Sequence, residues 1–106
     1  MSIKRINSDQ VVSGAVTKEE IREIVSVLCQ YGAEKIYLFG SCATGEAREG
    51  SDIDIAVDGM EAEVFFKAFG EILLRMGKDV DLIDLSEAKR TIRNRIEKEG
   101  RVIYEK

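Results

Sequence analysis

The sequence predicts one α/β domain, a small mixed β-sheet packed against helices on one face, with the other face left open for chemistry. Three observations predict it. Residues 52–58 alternate, with Ile53, Ile55 and Val57 on one side and Asp52, Asp54 and Ala56 on the other, which is the period of a half-buried strand. Two longer stretches repeat their apolar residues at helical spacing: Ile21, Ile24, Val25 and Leu28 in one, and Val64, Phe65, Ala68, Phe69, Ile72, Leu73 and Met76 in the other. Gly32, Gly77 and Gly100 punctuate the helical stretches, and a short strand-like run follows each.

Taken in order, residues 1–16 mix charge with Ser, Asn and Gly without sustained periodicity. They read as an extended arm, with Val11 and Val12 as a short edge segment, so the domain occupies 17–106. Thr17-Lys18-Glu19-Glu20 is a capping box, with Thr17 as N-cap and Glu20 reaching back, and it starts a first helix over 18–31. The first strand is 35–39, Gly40-Ser41 is a tight turn, 42–45 is a helical turn, and 46–50 is a polar connection. The second strand, 52–58, ends at Gly59, and a second helix covers 61–76. A third strand, 79–85, leads to Ser86 as the cap of a third helix with Ala88, Ile92 and Ile96 facing inward. Gly100 stops that helix, and 101–105 forms a last strand in which Val102 and Tyr104 alternate against Ile103.

Composition removes several function classes. With 106 residues, 44% of them hydrophobic, the chain can bury one real core but not two. Its net charge of −4 gives no global basic field to hold a duplex, so bulk nucleic-acid binding is not expected. The apolar runs are too short for a membrane span, and the first ten residues lack the hydrophobic segment of a signal peptide, so a cytoplasmic protein is expected. Two cysteines, Cys29 and Cys42, and no histidine exclude a Cys/His zinc site and a histidine-based triad. Cys29 reads as core filling and Cys42 as a small residue in a tight helix start. Lys89, Arg90, Arg93, Arg95, Lys98 and Arg101 cluster on the third helix and just beyond it. Their ordinary reading is a solvated face; a partner or nucleotide surface is the sharper one.

Chemistry concentrates at Gly40-Ser41 and Asp52-x-Asp54. Strand parity projects both carboxylates the same way, with Cα atoms about 6.6 Å apart. Such charges repel by roughly 4 kcal/mol at ~4 Å and an effective dielectric near 20, and a divalent cation between them resolves the conflict. Gly40 has no side chain to block a backbone approaching a phosphate, and Ser41 offers a hydroxyl and an N–H at the start of the following helical turn. An isolated Asp-x-Asp reads as readily as surface decoration; the preceding Gly-Ser and a further acid on the third strand favour a metal and nucleotide site. A calcium EF-hand fails because Val57 stands where the loop requires glycine, and no Gly-Lys-Ser or Gly-Lys-Thr segment supports a P-loop. On the third strand Asp79, Asp81 and Asp84 are candidates. Val80 and Leu82 must face the core, which turns Asp84 toward the apolar side and Asp79 and Asp81 toward the open face. Asp79 follows Gly77-Lys78 at the strand entrance, whereas Asp81 lies mid-strand.

Gly40-Ser41, ten intervening residues and Asp52-x-Asp54 resemble the signature of the minimal nucleotidyltransferase family, a branch of the polymerase-β-like superfamily. Val80-Asp81-Leu82 and the closing 99–104 stretch extend the likeness over about 17–104. The resemblance implies the polymerase-β-like nucleotidyltransferase fold. It also implies that Asp52, Asp54 and Asp81 hold two magnesium ions, with Asp81 as the third acid, and that Gly40 and Ser41 bind nucleotide phosphates. Many relatives carry arginine soon after the Gly-Ser, where this chain has Cys42 and Thr44; Arg48 is the candidate triphosphate contact. The implied reaction transfers AMP from ATP to an acceptor hydroxyl and releases pyrophosphate. In the family such proteins are commonly antitoxins paired with a HEPN-domain ribonuclease toxin, some adding AMP to a tyrosine of that toxin. A protein acceptor fits a chain too short for an added substrate domain. The alternative is a non-catalytic antitoxin that silences its partner by binding alone. Homo-oligomerisation is left open.

Overall fold

Parity along the strands divides the sheet's side chains between two apolar clusters, one on each face. The structure, a computed structural model, describes residues 17–40, 53–77 and 80–106. Its elements are α1 (Lys18–Gln30), β1 (Lys35–Phe39), β2 (Ile53–Asp58), α2 (Ala62–Met76), β3 (Val80–Asp84), α3 (Arg90–Glu99) and β4 (Arg101–Glu105). The fold class is the expected mixed-sheet α/β one. The sheet runs β3-β2-β1-β4, with β1 antiparallel to both β2 and β4, and β2 parallel to β3. A parallel pair requires a crossover, and α2 supplies it.

The larger cluster joins Ile36 and Leu38 of β1, Ile53, Ile55 and Val57 of β2, and Val80 and Leu82 of β3 to the inner faces of α1 and α2. The expected capping box starts α1. The Glu20 N–H donates to Thr17 Oγ1 at 3.1 Å and the Thr17 N–H donates to Glu20 Oε1 at 2.9 Å. Cys29 packs half-buried against this core. Phe65, Ala68 and Ile72 are the buried stripe of α2, and Gly77 ends that helix in the left-handed conformation. Leu73, expected inside, is 43% exposed. With Phe66 at 70% and Leu74 at 88%, it forms an apolar ridge on the outer side of α2.

The opposite face differs from the expected layout, because α3 packs there instead of joining α1 and α2. Tyr37, Ala56, Leu85 and Ile96 are buried together, with Phe39, Ile83, Ala88 and Val102 against them. The physical reason lies in the same parity that turns the acids outward. Tyr37, Ala56 and Ile83 share the acids' face and make much of it apolar, so Ile96 of α3 buries against it, whereas Ile92, expected inside, is 44% exposed.

Two boundaries also differ from expectation. Ser86 does not cap α3, which begins at Arg90 with Lys89 at the cap position. The Ser86 N–H donates to Asp84 Oδ1 at 3.0 Å and its hydroxyl to Asp58 Oδ1 at 3.4 Å, so the serine fastens a turn. On β4 a bulge opposite Ile36 and Tyr37 breaks the alternation, and Ile103 and Tyr104 both enter the larger core. Gly100 does end α3, in extended conformation: a Cβ there would lie 2.6 Å from the Ile96 carbonyl oxygen and 3.3 Å from that of Leu38. The arm 1–16, the turn at 42–45, the connection 46–50, and Ser41, Arg48, Asp52 and Asp79 lie outside the described residues.

Candidate active site

At the end of β1, Phe39 pairs with Asp54 of β2, and the chain turns at Gly40 with φ +68°. A Cβ on Gly40 would overlap Asp54 Oδ2 and come within 3.3 Å of its Cγ. Only glycine both adopts that backbone conformation readily and lets the turn lie against the carboxylate. Asp54 is in turn the register partner of Asp81 across the parallel β2–β3 pair, where neighbouring strands run about 4.8 Å apart. Asp54 is half-buried and Asp81 exposed. Both share the parity of Ala56 and Ile83 on the face turned away from α1 and α2. Asp84 has the parity of Val80 and Leu82, and its carboxylate accepts from the Ser86 backbone.

Of the residues expected at the site, the structure therefore brings together Gly40, Asp54 and Asp81; Ser41, Arg48 and Asp52 fall outside the described residues. Among the described residues no group of three His, Cys, Asp or Glu side chains gathers around one point. The donors in place are carboxylate oxygens, in a chain without histidine. Hard oxygen ligands suit magnesium, manganese or calcium better than zinc or copper, so the residues fit the divalent ion that the resemblance implies.

Farther along β2, on the same face, Asp58 has a different setting. The Arg93 guanidinium donates to Asp58 Oδ2 at 2.7 Å and to the Leu85 carbonyl at 3.0 Å. That hydrogen bond holds the Asp58 carboxyl below the usual carboxylate range, against partial burial that pushes it up. Arg93, read from sequence as part of a solvated face, thus clamps α3 to the sheet. Its role left no local signal, since Asp58 lies 35 residues away.

Beside Gly40, α3 and the sheet enclose a cavity of about 290 Å3. Phe39, Ile83, Ile92 and Ile96 supply apolar walls, and Arg95 and Glu99 stand at its edge, their side chains paired at 3.5 Å. No motif in the sequence marks these walls as functional. The visible signal was Phe39 immediately before the Gly-Ser turn and Ile83 two residues after Asp81, on the acids' face.

Residues 22–106 match the family described as polymerase beta, nucleotidyltransferase. The chain belongs to this family. Among relatives, the protein adenylyltransferase MntA of Thermococcus cleftensis is 37% identical over 92 residues, 82% of this chain and 83% of that protein. A solved toxin–antitoxin structure with AMP-PNP superimposes with a TM-score of 0.71 at 26% identity, covering 81% of this chain and 73% of that one. The complex of a tri-AMPylated Shewanella oneidensis HEPN toxin with its MNT antitoxin shares the fold, at a TM-score of 0.66 and 23% identity over 84% of this chain and 72% of that one. In this chain β1, the Gly40 turn, β2 and β3 bring Gly40 against Asp54 and put Asp54 in register with Asp81.

Proposed function

We propose that this chain is a magnesium-dependent protein adenylyltransferase that moves AMP from ATP to a hydroxyl of a HEPN-type toxin, and so acts as an antitoxin. The observation that carries the reading is the register pairing of Asp54 with Asp81 beside the positive-φ turn at Gly40. Membership of the nucleotidyltransferase family supports it, as do the adenylyltransferase name of a relative and a neighbour solved with AMP-PNP.

In this reading Gly40, with Ser41 and Arg48, receives the phosphates, while Asp54 and Asp81, together with Asp52, hold the metal. Bound magnesium would neutralise the triphosphate and favour departure of pyrophosphate. Asp54, which lies against the turn, would be a ligand of that cation. Asp81, the exposed member, meets the incoming acceptor and takes the proton of its hydroxyl. That oxygen forms a bond to the α-phosphorus, the bond from the α-phosphorus to the bridging oxygen breaks, and pyrophosphate carries the electron pair away. The binding-only alternative draws support from the apolar ridge of Phe66, Leu73 and Leu74, a surface of the kind that marks protein contacts.

Incubation with ATP labelled at the α-phosphate and the purified toxin decides between them. Label on the toxin, with a mass gain of one or more AMP groups, is the expected result. A toxin that is neutralised without label or added mass contradicts the enzymatic reading.

A further inference from the structure

We infer that the cavity between α3 and the sheet is the seat of the adenine base of ATP, with Ile83 and Ile92 as its walls and Arg95 and Glu99 as its reading edge. This rests on the nucleotidyltransferase reading above. The cavity opens beside Gly40 and lies on the face of Asp54 and Asp81, so a base tethered through its ribose to phosphates at the turn reaches it without leaving that face. Its volume of about 290 Å3 stands at the lower end of small-molecule pockets, ~300–1,000 Å3, and suits one part of a nucleotide rather than the whole. Apolar walls accept the flat faces of a purine.

The edge argues for a base over an aromatic ring of the acceptor. Arg95 offers only donors and Glu99 only acceptor oxygens. The pairing edge of adenine presents a ring-nitrogen acceptor next to an amino donor, and so answers both. A tyrosine ring brings one polar group, its hydroxyl, and that group is committed to Asp81 and the α-phosphorus. Arg95 and Glu99 pair with each other at 3.5 Å and are largely solvent-exposed, so exchanging this contact for the base loses little.

Calorimetry in magnesium buffer, with ATP and with inorganic tripolyphosphate as ligands, tests the assignment on the full chain. Ile92 is 44% exposed, so Ile92→Asp places a carboxylate on the cavity wall without emptying the core. Ile92→Leu keeps the wall apolar. Ile92→Asp should weaken ATP about tenfold or more, a difference of 1.4 kcal/mol or above, and leave tripolyphosphate unchanged. Ile92→Leu should bind both ligands as the wild type does, and circular dichroism should show each variant folded. Three results would overturn the assignment. One is equal weakening of both ligands. Another is unchanged ATP affinity with a raised KM for the acceptor, which would give the cavity to the acceptor's ring. The third is a wild-type protein that binds neither ligand, which would remove the nucleotidyltransferase reading as well.

Discussion

Asp54 and Asp58 are the same residue type on the same strand and the same face of the sheet, yet their neighbours give them opposite work. Asp58 meets Arg93 at 2.7 Å, and its charge is spent on holding α3 to the sheet. Asp54 lies in register with another acid, Asp81, on the next strand, and against the Gly40 turn. Parity alone cannot distinguish the two positions. The neighbours do: Asp58 is tied to a guanidinium of α3, while Asp54 lies in register with a second acid, and carboxylates on adjacent strands offer oxygen ligands to a divalent ion.

The largest effect should come from the acid pair. Asp81→Asn should lower AMP transfer about a hundredfold or more, the scale of losing a positioned base, while thermal stability stays level or rises as one of two like charges disappears. Labelled transfer and a thermal melt measured together check this. An inactive and markedly destabilised Asp81→Asn would make Asp81 a structural acid like Asp58, and the contrast would collapse.

Gly40→Ala should come next. The new Cβ meets Asp54 Oδ2, and alanine at φ +68° costs about 1–2 kcal/mol, so both stability and transfer should fall. If stability drops by that amount while transfer is unchanged, the close approach of turn and carboxylate has no part in the chemistry. Arg93→Ala should do the reverse. Its ion pair is partly exposed and screened, so the pair and the Leu85 hydrogen bond together are worth on the order of 1–2 kcal/mol in a denaturant melt. Transfer per folded molecule should change little.

The smallest effect sharpens the same contrast through pH. Because the Arg93 hydrogen bond lowers the folded-state pKa of Asp58, its contribution to stability is fully present above the unfolded aspartate value of ~3.9. It is lost as pH falls through the lowered folded value. Acid titration of wild type against Arg93→Ala should therefore narrow the gap between the two stability curves as pH falls below ~3.9, down to the part that the Leu85 hydrogen bond supplies. Curves that stay a constant distance apart would show that Asp58 is not the partner that matters.

Much of this arrangement was legible in the residues, and the part that was not has identifiable causes. Val80 and Leu82 demanded the core, so parity put Asp81 on the face turned away from α1 and α2 and gave Asp84 the opposite parity, as the strand register has them. The Thr17-Glu20 box and Gly77 acted locally, through the next turn of chain, and both appear as expected. What failed to show was long-range. Ile96 required an apolar surface without naming it, and Tyr37, Ala56 and Ile83, scattered over three strands, were the surface it found. Ser86 looked like a cap because its preferred use is local, but Asp84 and Asp58 compete for it, and the second of these lies 28 residues away. Nor does any residue type announce the β4 bulge, which comes from fitting one extra residue opposite β1.

The central claim is that β2 carries one acid for chemistry and one for architecture, and magnesium-dependent ATP binding by Asp54→Asn and Asp58→Asn tests it most directly. In calorimetry with and without magnesium, Asp54→Asn should lose most of the gain in ATP affinity that magnesium gives the wild type. Asp58→Asn, at a temperature where it remains folded, should keep that gain. Equal loss in the two variants, or loss confined to Asp58→Asn, would contradict the account.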